Sequence, residues 1–204
     1  MLKRSKNAVV NKKLRKIEKT LEKSRIKLPI LLKLKLAGLI LNLMVRRKKR
    51  FGLFIILGWK NKWKKFTDIS DNTQDIFSRH HINILNIKIG ERRHYDIGTT
   101  VDFDGAILIN NRGEIIHSGV VIEAMRPGIV AGKINPGHFK DLSEQFGFQK
   151  KVHLRHLIAI TASYVFKNTT VFTVSEETGS FHIFEKGRIV YSTVLKEIIV
   201  KKQE

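Results

Sequence analysis

Asp104, Gly105 and Ala106 stand together immediately before an apolar run. A carboxylate in that position can take a divalent metal or accept a hydrogen bond from a hydroxyl, and a Gly and an Ala beside it lack the bulk to hold a flat ligand off the backbone. Asp-Gly is also a common turn dipeptide, so the same residues suit a plain turn. Arg155 and His156 open a stretch with helical patterning. Helix N-termini turn free N–H groups outward and favour anions, so these two side chains there suit a phosphate, or else they are a surface Arg and a half-buried His. Ser175, Glu176 and Glu177 lead into Thr178-Gly179 between two β-branched runs. They read either as a polar hairpin turn or as hydroxyl and carboxylate groups facing a nucleotide and its metal.

The elements that must position these groups begin near Thr67. From there the chain alternates short β-branched runs with turns and two helical stretches. A strand is expected over 82–89, and a hairpin over 106–110 and 114–121 around Asn111-Arg112-Gly113. A short helix suits 139–146 after Asn135-Pro136-Gly137, and a longer one suits 154–165. Strands are expected over 170–174, 180–184 and 188–194, with turns at Glu177-Thr178-Gly179 and Glu185-Lys186-Gly187. The pattern implies a mixed α/β domain over 67–204. It contains no P-loop and no GxGxxG fingerprint, and none of the eight His forms HExxH.

Residues 1–66 differ in kind. The chain has 204 residues with 39 Lys/Arg against 18 Asp/Glu, a net charge of +21. Of these, 22 basic and 2 acidic residues fall in 1–66, so 67–204 is nearly neutral at +1. Val10, Leu14, Ile17 and Leu21 follow a 4-3-4 spacing and predict one stripe of a helix that ends before Pro29. An apolar run over 28–45 follows, interrupted by Lys33 and Lys35, then Arg46-Arg47-Lys48-Lys49-Arg50, then a second apolar run over 51–59. Two central lysines make the first run a poor membrane span, and the second is shorter still. An interfacial helix with snorkelling lysines, flanked by the basic cluster and by Trp59 and Trp63, fits the same residues at lower cost. The expectation is therefore a basic helical arm meeting a membrane surface or another anionic partner, or packing on its own domain. Nucleic acid is the weaker reading, because a fold that grips phosphate carries its charge on the folded surface. No cleavable signal pattern is present, and a cytoplasmic, peripherally membrane-associated location is expected. The absence of Cys excludes disulfides, thiolate metal sites and a cysteine nucleophile.

Taken in order, the three stretches resemble the diadenylate cyclase domain, the nucleotidyltransferase module at the N-terminus of DNA-integrity scanning proteins. The likeness spans about 75–195 and includes Asp104-Gly105-Ala106, Gly113, Gly119-Val120, the Val174-Ser175-Glu176-Glu177-Thr178-Gly179 segment and Phe184-Glu185-Lys186-Gly187-Arg188-Ile189. The family's Arg-His-Arg signature stands here as Arg155-His156-Leu157, Phe103 precedes the Asp, and 135–151 has the look of an insertion. The resemblance implies a mixed central sheet flanked by helices. It implies a homodimer or higher homo-oligomer that joins two ATP into cyclic di-AMP with Mg2+ or Mn2+. Asp104 would be catalytic and hold the metal, and Gly105, Ala106, Arg155, His156, Ser175, Glu176 and Glu177 would bind ATP. Leu157 and Phe103 also suit a nucleotide-binding sensor of the same fold without turnover, and the basic arm leaves open a nucleic-acid-binding protein.

Overall fold

The computed structural model describes residues 2–69, 73–89, 97–101, 103–194 and 197, with backbone alone over 2–7. All eight candidate site residues lie within these. Two helices, α1 (Leu2–Leu21) and α2 (Ile30–Arg46), precede strand β1 (Leu53–Trp59) and the short β2 (Thr67–Ile69). The hairpin β3 (Ala106–Asn110) and β4 (Ile115–Ile122) comes next, then α3 (Pro127–Ile134), α4 (Leu142–Gln145) and α5 (Leu154–Val165). Strands β5 (Thr170–Val174), β6 (Phe181–Glu185) and β7 (Arg188–Ser192) follow. All seven strands join one mixed sheet in the order β2-β4-β3-β1-β5-β6-β7. Strand β1 runs parallel to β3 and antiparallel to β5; the other neighbours are antiparallel.

The α/β class follows the sequence, but residues 51–59 do not belong to the helical arm expected over 1–66. They include β1, the middle strand, with every residue buried. A strand covered on both faces shows no polar alternation, so its run of apolar side chains carries no period to reveal it. Its side chains still divide by two: Leu53, Ile55 and Leu57 enter one core, Phe54 and Ile56 the other. The sheet thus draws on both sides of the 66/67 boundary drawn from charge.

Helices α1 and α2 cover the first face. Val10, Ile17 and Leu21 of α1 are buried as the 4-3-4 spacing requires, and Leu32, Leu36 and Ile40 of α2 pack with Ile55, Ile107 and Phe172. Burying each such side chain contributes about 1.5–3 kcal/mol, which holds this face of α2 to the sheet. Lys33, expected to snorkel, is 2% exposed. Its Nζ lies 2.8 Å from Glu185 Oε1 at the end of β6 and donates to Ser24 Oγ at 3.2 Å. Helix α5 covers the second face, where Ile160 and Phe166 meet Ile56, Val171 and Phe184. Trp59 and Trp63, read as interfacial anchors, pack edge-on at 5.6 Å, and both contact Phe166 in this core.

Residues 82–89, expected as a strand, hold a 3-10 turn at Ile84–Asn86 and one bridge from Asn83 to Glu114. Asn83 accepts from Leu85 N–H, a local side-chain bond that competes with a ladder. The helix expected over 139–146 shortens to α4, capped by Asp141 on the N–H groups of Ser143 and Glu144. Helix α5 matches its predicted bounds.

Candidate functional site

Register brings the three sequence stretches to one end of the sheet. Ile55 pairs with Ile107 in parallel, so two residues earlier Leu53 and Gly105 come level. Leu53 also pairs with Val174 at the end of antiparallel β5. Across this end lie Asp104-Gly105, then Gly52-Leu53, then Val174-Ser175, spanning about 10 Å at ordinary strand spacing. The start of α5 leans over the same end, because the Arg155 guanidinium sits against Gly52 where any Cβ would overlap it. Arg50 closes the far side: it donates to the Glu177 backbone carbonyl and lays its stem along Gly179. The sequence reading missed Arg50 and Gly52. A glycine two residues after a run of five basic residues, with only Phe51 between, is the available signal, and the charge of that run assigns it to the arm.

The carboxylate of Asp104 is exposed and makes no hydrogen bond or ion pair among the described residues; its backbone N–H donates to Gln74 Oε1 at 3.2 Å. Arg155 is half-buried and has no acidic partner among the described residues. A carboxylate and a guanidinium left unpaired at one end of a sheet are groups ready for a ligand. The 175–179 turn is closed by Gly179 N–H on Ser175 O at 2.8 Å and by Thr178 N–H on Ser175 Oγ at 3.2 Å. Glu176 projects to solvent, and Glu177 meets His153 Nε2 at 2.8 Å with both side chains mostly exposed.

Three predicted site residues serve the frame. Gly105 has φ +90°, and a Cβ there would lie 2.7 Å from the backbone of Val120, so this glycine is demanded by β4 and not by a ligand's approach. Ala106 is fully buried in the second core. His156 is 5% exposed, beneath the site, and its Nε2 has no partner among the described residues. Burial first, then the neighbouring His182 and Arg155, pushes its pKa down to about 4, so it is neutral at pH 7 and brings no cation to a phosphate. Leu157, in the place of the resembled family's second Arg, packs against the second core.

Among the described residues no three His, Cys, Asp or Glu side chains come together as a metal site. Asp104 alone fits a magnesium-type ion, which takes one or two carboxylates and completes its shell with phosphate oxygens and water. No helix among the described residues is long and apolar enough to cross a membrane.

The site belongs to an α/β protein with polar and charged side chains gathered at one end of its mixed sheet. No family model matches the chain, and no curated protein does. Among solved structures it is similar to a hypothetical membrane spanning protein from Bacillus cereus at 17% identity and a TM-score of 0.45, covering 80% of this chain and 63% of that one. It is also similar to a double mutant of DacA from Staphylococcus aureus at 14% identity and a TM-score of 0.43, covering 81% of this chain and 89% of that one. This chain therefore spans less than two thirds of the Bacillus cereus protein's length. Likenesses of this degree carry no functional weight, and the reading of the site rests on its own residues.

Proposed function

We propose that the chain is a diadenylate cyclase, joining two ATP into cyclic di-AMP. The observation that carries this reading is the convergence of Asp104, Arg155 and the 175–179 turn on one end of the sheet, where among the described residues the Asp104 carboxylate is unpaired and Arg155 has no acidic partner. Arg155 neutralises phosphate oxygens, and the Ser175 hydroxyl and the Glu176 carboxylate border the same space. Asp104 orients a 3′-hydroxyl and is the residue that would hold Mg2+ or Mn2+. The ion, when bound, offsets phosphate charge that Glu176 and Glu177 would otherwise repel.

Each 3′-hydroxyl oxygen forms a bond to the other ATP's α-phosphorus, the bond from that phosphorus to pyrophosphate breaks, and the hydroxyl proton leaves to a base or water. Two such steps give one cyclic di-AMP and two pyrophosphates. The chemistry needs positioning and charge neutralisation more than covalent help from protein. It also needs two loaded sites facing each other, which makes a homodimer or higher homo-oligomer the working form.

The packing of Leu157 and the neutrality of His156 favour a second reading, a nucleotide-binding sensor of the same frame without turnover. Incubation of the purified chain with ATP and Mg2+ or Mn2+, followed by mass-resolved chromatography, separates the two. The cyclase yields cyclic di-AMP and pyrophosphate, and Asp104→Asn lowers the rate by at least about a hundredfold. Metal-dependent ATP binding without product supports the sensor, and neither product nor binding removes both.

A further inference from the structure

The sheet ends at β7, and among the described residues no strand pairs with its outer edge. Beside that edge runs a cleft of about 610 Å3, walled by residues 189–194 on one side and by Lys12, Lys13 and Lys16 of α1 on the other; Glu197 also lines it, with its carboxylate bonded to His182 and Ser192. Lys12 and Lys16 are exposed and Lys13 is half-buried, while Val9, 50% exposed, supplies an apolar patch at the mouth. An open strand edge presents a row of backbone donors and acceptors, and unguarded edges invite another chain.

We propose that this cleft is a docking site for an extended acidic peptide segment of a partner protein, which adds an eighth strand to β7 and sets its carboxylates against the α1 lysines. The occupant follows from charge. A second copy of this chain pairing edge to edge would bring two lysine-bearing α1 helices together, and like charges at that distance oppose association. A nucleic-acid duplex would use the lysines but has no use for a strand edge or for the apolar surface of Val9 and Val194 beside it. An alternating apolar and acidic strand uses all three features, because its successive side chains point to opposite faces. The inference does not depend on the nucleotide reading, since none of the candidate site residues lines the cleft.

The test is fluorescence anisotropy on the full chain with a labelled ten-residue peptide of alternating Glu and Val. A second peptide of the same sequence is N-methylated at alternate residues so that one edge cannot pair, and a third shifts the methyl groups by one residue. The unmodified peptide is expected to bind, and one of the two methylated peptides to bind at least about tenfold more weakly. Lys12→Glu with Lys16→Glu, both exposed, should weaken the unmodified peptide at least about tenfold. Lys133→Glu with Lys151→Glu, equal in charge and outside the cleft, should leave binding within about twofold. Thermal melting of each variant confirms that it is folded. No binding, or equal binding of all three peptides, overturns the proposal. So does a duplex DNA that binds through the same lysines and displaces the peptide whether or not it is methylated, which would reassign the cleft to nucleic acid.

Discussion

Strand β6 carries two buried polar clusters, one on each face of the sheet, and they are built on opposite terms. On the α2 side, Glu185 accepts from Lys33 at 2.8 Å, from Thr170 at 2.7 Å and from Ser24, so both carboxylate oxygens are bonded. On the α5 side, His182 bonds Glu197 at 2.7 Å, yet its Nδ1 and the Nε2 of neighbouring His156 are buried without partners among the described residues. The first cluster is charged and complete, and it fixes α2 and the chain before it to the sheet. The second is incomplete and lies directly under Arg155, the cation of the candidate site. The complete cluster holds the fold, whereas two of the four buried side-chain atoms without a partner among the described residues, on His156 and His182, lie together beneath Arg155.

Breaking the complete cluster should have the largest effect. Lys33→Met leaves Glu185 buried without its cation, and loss of one partner from a buried pair costs about 3–5 kcal/mol. Urea denaturation should show it as a lowered midpoint with little change in slope. Lys33→Met combined with Glu185→Gln should recover part of the loss; a double variant no better than the single would show that α2 is held by its apolar contacts alone.

The incomplete cluster should respond to pH. His156 in the folded chain takes a proton only near pH 4, against 6.5 when unfolded, because burial, His182, Arg155 and His153 all oppose its charge while Glu197 favours it. Between those values the unfolded chain binds the proton that the folded chain refuses. The contribution is full above pH 6.5 and is lost as pH falls towards 4, by up to about 3 kcal/mol. Burial works to raise the Glu197 carboxyl, but hydrogen bonds from His182 and Ser192 outweigh it and hold the pKa below the ordinary 4.5, so its contribution is lost lower in pH. Stability measured at pH 7 and 4.5 should fall in the parent and fall less in His156→Phe. Equal falls would place the titrating group elsewhere.

The same variant makes a smaller claim at pH 7. Phe removes a buried nitrogen that has no partner while keeping a ring against Phe148 and His182. His156→Phe should therefore be neutral or more stable by about 1 kcal/mol. A loss of more than that would mean that an ordered water or ligand meets His156 Nε2.

These two clusters also show where sequence stops. Lys33 and Glu185 are 152 residues apart, and nothing local in a lysine within an apolar run distinguishes a buried pair from a snorkelling side chain. Strand β1 was hidden because complete burial erased its alternation, and its position between basic clusters drew it into the arm. By contrast, β3 to β4 and β5 to β7 were legible, since Gly113 and Gly187 sit at turns with φ near +80° that favour glycine. Asp104, Arg155 and the 175–179 turn were legible by residue type, but their convergence depends on β1 lying between β3 and β5. The shielding of His156 and Ala106 depends on which face each residue meets, which motif spacing does not specify.

The smallest expected effect bears most directly on what the open end is for. His153 and Glu177 form an ion pair at 2.8 Å with 72% and 61% exposure, and pairs so exposed contribute little to stability. Glu177→Gln should therefore move Tm by less than about 2 °C, in contrast to the large fall expected for Lys33→Met. If the 175–179 turn borders a nucleotide, the same change should still alter metal-dependent ATP affinity by at least about threefold, because a carboxylate near phosphate and metal acts on ligand charge even where it does nothing for folding. A shift in Tm of many degrees would make the turn a structural element, like the Lys33 cluster. Unchanged Tm with unchanged ATP affinity would move the ligand away from Glu177, towards Asp104 and Arg155.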